Sequence, residues 1–92
     1  MPQFHYVYVL RSLKDGDLYT GFTENLKTRL ERHNSGAVPS TRPRRPFELV
    51  FYEAYRDKLD AKRREIYLKS TKGKRTLRTM LQDFLRRVPS TS

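Results

Sequence analysis

Two runs of aromatic and β-branched residues, joined by a single tight-turn signal, constrain this chain most. Phe4 to Leu10 and Leu18 to Phe22 both read as strands. Between them, Lys14-Asp15-Gly16-Asp17 supplies residues that tolerate the positive φ of a hairpin turn. Apolar residues fall at both parities in the first run, so both of its faces are expected to be covered. A loop of about two or four residues centred on Asp15-Gly16 pairs even positions of the first strand with odd positions of the second. Tyr8 and Tyr19 then share one face. Thr23 is expected to cap a helix beginning near Glu24, whose charge suits a helix N-terminus. Leu26 and Leu30, at i,i+4, form its buried stripe. Arg29 and His33 repeat that spacing about 100° away round the helix, at the seam between helix and sheet.

Asn34-Ser35-Gly36 is a helix stop, and the proline-bearing loop from Ala37 to Pro46 follows it. Ser40, Thr41, Arg42, Arg44 and Arg45 make this either a solvated surface loop or a set of donors to phosphate oxygens. Phe47 to Tyr55 reads as a third strand, with Phe47, Leu49 and Phe51 on one face and Val50, Tyr52 and Ala54 on the other. It is expected to be central or well covered. Asp57 caps a helix with Asp60 in its first turn, running through Ala61, Glu65 and Leu68 to about Ser70. Glu65 shares the inward face of Ala61 and Leu68, where an unpaired carboxylate is costly. It therefore pairs with Arg29, Arg63 or Arg64, or ligates a hard cation such as Mg²⁺. Lys69, Lys72, Lys74 and Arg75 form a basic run around Gly73, which is expected to break the chain between helices. Leu77, Met80, Leu81, Phe84 and Leu85 recur at helical spacing and predict a last amphipathic helix packed on the sheet. The length suits one domain over residues 1–88, with a disordered tail at 89–92.

Charge narrows the partners. Twenty Lys and Arg against ten Asp and Glu give a formal net charge of +10, which favours polyanions, nucleic acid first. A membrane partner is not expected. There is no cysteine, so disulfides, thiol catalysis and zinc–thiolate sites are excluded. Without an apolar run of about 18 residues or a secretory leader pattern, a cytoplasmic location is the expectation.

The order Tyr6-Val7-Tyr8, Tyr19-Thr20-Gly21, Arg29, His33 and a later helical Glu65 resembles the GIY-YIG nuclease domain. The likeness runs from about Phe4 to Gly73. It is strongest to small single-domain bacterial members related to the nuclease module of the excision-repair machinery. Tyr6 stands where that family has its first glycine, Val7 and Thr20 replace the two isoleucines, and a late asparagine has no clear counterpart. The resemblance implies an α/β fold: a small three-stranded antiparallel sheet flanked by helices, ββαβα plus a C-terminal helix. It also implies metal-dependent endonucleolytic cleavage of DNA, with structure selectivity and a link to DNA repair or processing as extensions.

Residue by residue, the same resemblance implies that Glu65 holds one Mg²⁺ or Mn²⁺ near the leaving 3′ oxygen. Arg29 binds the non-bridging phosphate oxygens. Tyr8 takes a proton from water or positions it, Tyr19 orients the water or relays the proton, and His33 is an alternative base or a phosphate donor. A tyrosine of ordinary pKa, about 10, is a poor base at neutral pH, so Tyr8 needs positive charge beside it. Thr41 and Arg42 are expected near the substrate, with Arg44, Arg45, Lys72, Lys74 and Arg75 as further nucleic-acid contacts. DNA is expected ahead of RNA, with a monomer or weak homodimer and room for a protein partner that supplies specificity. Two other functions stay open: a non-catalytic nucleic-acid-binding module on the same scaffold, and a protein-interaction adaptor.

Overall fold

Strand β1, His5–Ser12, runs through the centre of a three-stranded antiparallel sheet, with β2, Leu18–Thr23, on one side and β3, Phe47–Tyr55, on the other. The computed structural model describes residues 3–89. Helix α1, Leu26–Ser35, follows β2; α2, Lys58–Lys69, follows β3; α3, Thr71–Met80, and α4, Gln82–Arg87, complete the chain. The expected α/β architecture is therefore present. Residues 90–92, most of the expected tail, lie outside the described residues, while the Pro89 carbonyl accepts from Arg11 Nη2 at 3.3 Å.

β1 organises two cores because its side chains alternate. Val7 and Val9 point to one face and pack with Ala61 and Leu68 of α2, Leu77 of α3, and Leu81. Tyr8 and Leu10 point to the other and pack with Phe47, Tyr19, and Leu26 and Leu30 of α1. All four of these β1 residues are essentially buried, as expected from apolar residues at both parities. At about 25 cal/mol per Å² of apolar surface, each such side chain contributes roughly 1.5–3 kcal/mol.

The hairpin register pairs Leu10 with Tyr19 and Tyr8 with Gly21. The connection is longer than expected and centred one position earlier, since Arg11–Leu18 is the last aligned pair. Its even length preserves the parity, so Tyr8 and Tyr19 do share a face. Gly16 takes a φ of 79°, the conformation for which Gly was required there.

Several local expectations are corrected. β3 is an edge strand rather than the central one, in keeping with Glu48 and Glu53, since charged side chains suit an edge. A bulge at Val50, opposite the step from Val9 to Leu10, reverses parity within β3, so Phe51 faces away from Phe47 and Leu49. Asn25, not Thr23, caps α1, its side chain accepting from Thr28 N at 3.0 Å; Thr23 Oγ1 instead accepts from Asn25 N. Glu24 lies outside the helix and pairs with His5.

A further correction concerns Gly73, which lies inside α3. The break falls at Ser70, which ends α2 and caps α3 by accepting from Gly73 N at 3.0 Å. A Cβ on Gly73 would collide with the Tyr67 carbonyl, so glycine is needed for close packing of the two helices. The final helical stripe is also interrupted at Leu81, between α3 and α4; Leu81 and Leu85 both reach the core, while Met80 is exposed. Asp57, by contrast, caps α2 as expected, with Asp60 in the first turn.

Candidate active site

The face of β1 that carries Tyr8 is where α1 and the loop after it converge. Gly36 stops α1 with φ 84°, as Asn34-Ser35-Gly36 implied. Asn34 then clamps the helix end to β3, donating from Nδ2 to Phe47 O at 3.1 Å and accepting from Phe47 N at 2.7 Å. This orients His33, the one buried residue of α1.

His33 is fully buried and bonded at both ring nitrogens. Nδ1 lies 2.8 Å from Thr41 Oγ1, and Nε2 lies 2.9 Å from Tyr8 Oη. The Thr41 hydroxyl donates to Val38 O at 3.4 Å, so its oxygen accepts and Nδ1 carries the imidazole proton. Nε2 is then the acceptor, and Tyr8 donates to it. Burial, with added repulsion from Arg29 and Arg32, lowers the His33 pKa from 6.5 to about 4, which keeps the ring neutral at pH 7.

Arg29 completes the group by donating from Nε to Tyr8 Oη at 3.3 Å. Among the described residues, its Nη1 and Nη2 have no hydrogen-bond or ion-pair partner. That leaves a planar fork for two oxygens of one anion. Burial raises the Tyr8 pKa; the Arg29 hydrogen bond and charge oppose the rise, and Tyr19 and Glu65 add to it. Desolvation thus outweighs the guanidinium, which leaves Tyr8 a phenol that still needs further positive charge beside it to act as a base. Tyr19 stacks edge-on against His33 at 5.2 Å, and its hydroxyl has no partner among the described residues. Gly21 lies beneath the Tyr8 ring, where any Cβ would collide with Cζ and Oη.

Glu65 comes from α2, between the buried Ala61 and Leu68 as expected. Its side chain is only 13 % exposed, held by Lys69 at 3.0 Å and Lys62 at 3.7 Å. None of the expected arginines pairs with it: Arg63 bonds Asp60, Arg64 bonds Glu53, and Arg29 donates to Tyr8. Among the described residues no three His, Asp or Glu side chains form a metal cluster. A single inward carboxylate with substrate phosphate and water is nonetheless a donor set that suits Mg²⁺ or Mn²⁺, and the charge of Glu65 is felt at Tyr8.

The remaining expected contacts divide. Thr41 is 1 % exposed and sits behind His33, so it cannot touch a phosphate directly. Arg42 donates from Nε to Gly36 O at 2.7 Å, tying the loop to the end of α1. Arg44 pairs with Asp15 at 3.1 Å and Asp17 at 3.8 Å. Arg45, Lys72, Lys74 and Arg75 are exposed. Sequence reasoning missed the Asn34 clamp and the function of Ser12, whose Oγ donates to Arg44 O at 2.5 Å and joins the hairpin to the loop. Both act on backbone partners far along the chain, which local spacing does not reveal.

Comparison with known proteins agrees with this geometry. The family model for the GIY-YIG catalytic domain matches residues 4–78. A UPF0213 protein of Clostridium perfringens is 46 % identical over 66 residues, 71 % of this chain and 70 % of that protein. One from Staphylococcus aureus is 39 % identical over 75 residues, 80 % of this chain and 90 % of the relative. The solution NMR structure of the UPF0213 protein BH0048 from Bacillus halodurans, 40 % identical, superposes with a TM-score of 0.52 over 84 % of each chain. With its two tyrosine-bearing strands, its helical Arg29 and His33 and these relatives, the chain belongs to the GIY-YIG nuclease family.

Proposed function

We propose that this protein is a divalent-metal-dependent endonuclease that hydrolyses DNA phosphodiester bonds. The observation that supports this best is the position of Tyr8 Oη, between the neutral acceptor His33 Nε2 and the donor Arg29 Nε, beside the free end of the Arg29 fork. A phosphodiester placed there has its non-bridging oxygens on Arg29 Nη1 and Nη2, where charge grows as the pentavalent state forms.

A water beside Tyr8 gives its proton to Oη as its oxygen attacks phosphorus, and the Tyr8 proton passes to His33 Nε2. The bond from phosphorus to the 3′ oxygen breaks, leaving a 5′ phosphate, and the 3′ oxygen is protonated by solvent. The low pKa of His33 serves this relay twice: it keeps Nε2 unprotonated beforehand, and afterwards it drives the proton back along the same path, the Tyr8 hydroxyl releasing one proton to solvent as it takes one from Nε2. Thr41 holds the tautomer that makes Nε2 the acceptor. Tyr19, with a free hydroxyl at the rim, orients the water. Glu65 would hold the divalent cation, which would supply Lewis-acid stabilisation of the departing oxygen.

The test is cleavage of labelled duplex, nicked, branched and single-stranded DNA by the pure protein with Mg²⁺, Mn²⁺ or chelator, beside Glu65→Ala and Tyr8→Phe. Metal-dependent cleavage that both substitutions abolish supports the reading. Salt-sensitive DNA binding without cleavage in any of the three proteins replaces it with a non-catalytic binding module.

A further inference from the structure

A groove of about 540 Å³ runs along the outer flank of β2, between that strand, the end of α2 and the middle and later turns of α3. It opens beside Tyr19 and Thr20, so one wall begins at the site already described. Its cationic lining is Arg44, Lys69, Lys74 and Arg78. The single carboxylate in its lining, Asp17, is already neutralised by Arg44 at 3.8 Å.

The local structure explains why these cations collect there. Lys74, Leu77 and Arg78 stand at i, i+3 and i+4 on α3, so they share one helical face. Leu77 is buried in the core against β1, which turns that face towards the sheet and carries the two cations along the flank of β2. Among the described residues neither Lys74 nor Arg78 has a carboxylate within ion-pairing distance. Lys72 lies about 160° round the helix from Lys74 and is not part of the lining. Lys69 is the i+4 neighbour of Glu65 and bonds it at 3.0 Å, so one residue of the lining is shared with the partners of that carboxylate.

We propose that this groove is the backbone subsite of the enzyme: it holds the sugar–phosphate chain of one strand next to the scissile phosphate, with Lys74 and Arg78 as its phosphate contacts. This rests on the nuclease reading above and adds to it which cations hold the substrate and along which path. A volume of this size is on the scale of a small-ligand site and takes a short stretch of one strand, not a duplex cross-section. The partly exposed side chain of Leu18 in the wall suits a sugar face between the charges. The track runs along β2 from Tyr19, so the strand is gripped on one side of the cleavage point by Lys74 and Arg78, which are separate from the residues that perform chemistry.

The experiment is the salt dependence of binding, measured by fluorescence anisotropy with a labelled DNA duplex and its separated strand in the presence of Ca²⁺. Proteins compared are the wild type, Lys74→Gln/Arg78→Gln, and Lys58→Gln/Arg87→Gln, which removes the same charge outside the groove. Removing one cation–phosphate pair lowers the slope of log K against log salt by about 0.7–0.9, so the groove variant is expected to lose about 1.5 and the control to keep the wild-type slope. Equal slopes in wild type and groove variant, or equal losses in both variants, overturn the groove while leaving the nuclease reading intact. A wild type with no salt-sensitive DNA binding overturns both.

Discussion

The Tyr8 hydroxyl and the His33 imidazole meet at 2.9 Å inside the protein, across 25 residues of sequence. Replacing Tyr8 with Phe removes the donor and leaves a buried Nε2 without a partner. An unsatisfied buried polar atom costs about 1–3 kcal/mol, and loss of a positioned proton acceptor costs about 10²–10⁴ in rate. Urea denaturation and single-turnover cleavage of the same Tyr8→Phe protein should show both losses; a fully active variant would remove Tyr8 from the chemistry.

Thr41 acts through His33. Thr41→Val takes away the acceptor for Nδ1–H, frees the ring to adopt the other tautomer, and should reduce kcat more than it raises KM. Thr41→Ser keeps the hydroxyl and should restore activity. The ¹⁵N chemical shifts of the imidazole provide the independent readout, with Nδ1 protonated in the wild type and in the Ser variant only.

Gly21 makes room for the Tyr8 ring. Gly21→Ala should displace the phenol from both His33 and Arg29, lowering cleavage by at least the Tyr8→Phe factor. The backbone at Gly21 is ordinary strand, so the protein should still fold. Circular dichroism with an activity assay separates the two effects; an active Gly21→Ala enzyme would show that the ring need not lie where it does.

The depressed pKa of His33 has a stability consequence whose sign is definite. The unfolded chain takes up a proton near pH 6.5, whereas the folded protein does so only near pH 4. Between those values the unfolded state binds more protons, so stability is complete above pH 6.5 and falls as pH drops towards 4. The loss from this group amounts to roughly 3 kcal/mol. Unfolding free energies measured from pH 7.5 to 4.5 should show that slope in the wild type and a shallower one in His33→Gln.

Glu65→Gln separates a ligand from a structural ion pair. Its lysine partners are about half exposed, and pairs of that kind contribute about 0–1 kcal/mol. Stability should therefore change little while cleavage is lost. Thermal denaturation with added Mn²⁺ gives the direct readout: the wild-type midpoint rises with metal concentration through binding to the folded state, and the Gln variant should not respond.

The parts of this structure that follow from short-range rules were legible in the sequence. Parity alone placed Tyr8 and Tyr19 on one face, and helical spacing put Glu65 with Ala61 and Leu68. The centre of the sheet was misjudged because aromatic richness in Phe47–Tyr55 outweighed its two glutamates, and nothing local announces the bulge at Val50. The family resemblance led to Arg29 and His33, but their hydrogen bonds with Tyr8 could be seen only once the hairpin had brought β1 beneath α1. Thr41 was read as a surface donor because it sits among arginines and prolines; its burial depends on the Asn34 clamp that folds the loop back. Gly73 looked like a break because glycine commonly is one, whereas here its missing side chain lets two helices touch.

Strand β1 sends odd residues into the core with α2 and α3 and even residues towards Tyr19, His33 and Phe47. Sliding it by one residue would exchange those two sets, putting a phenol among aliphatic side chains and a valine under His33. Misthreaded molecules thus lose cohesion and reactivity together, and no well-packed impostor that lacks the site is available to this chain. In a preparation of this protein, the folded fraction and the fraction with a correctly assembled Tyr8–His33 pair should be the same number.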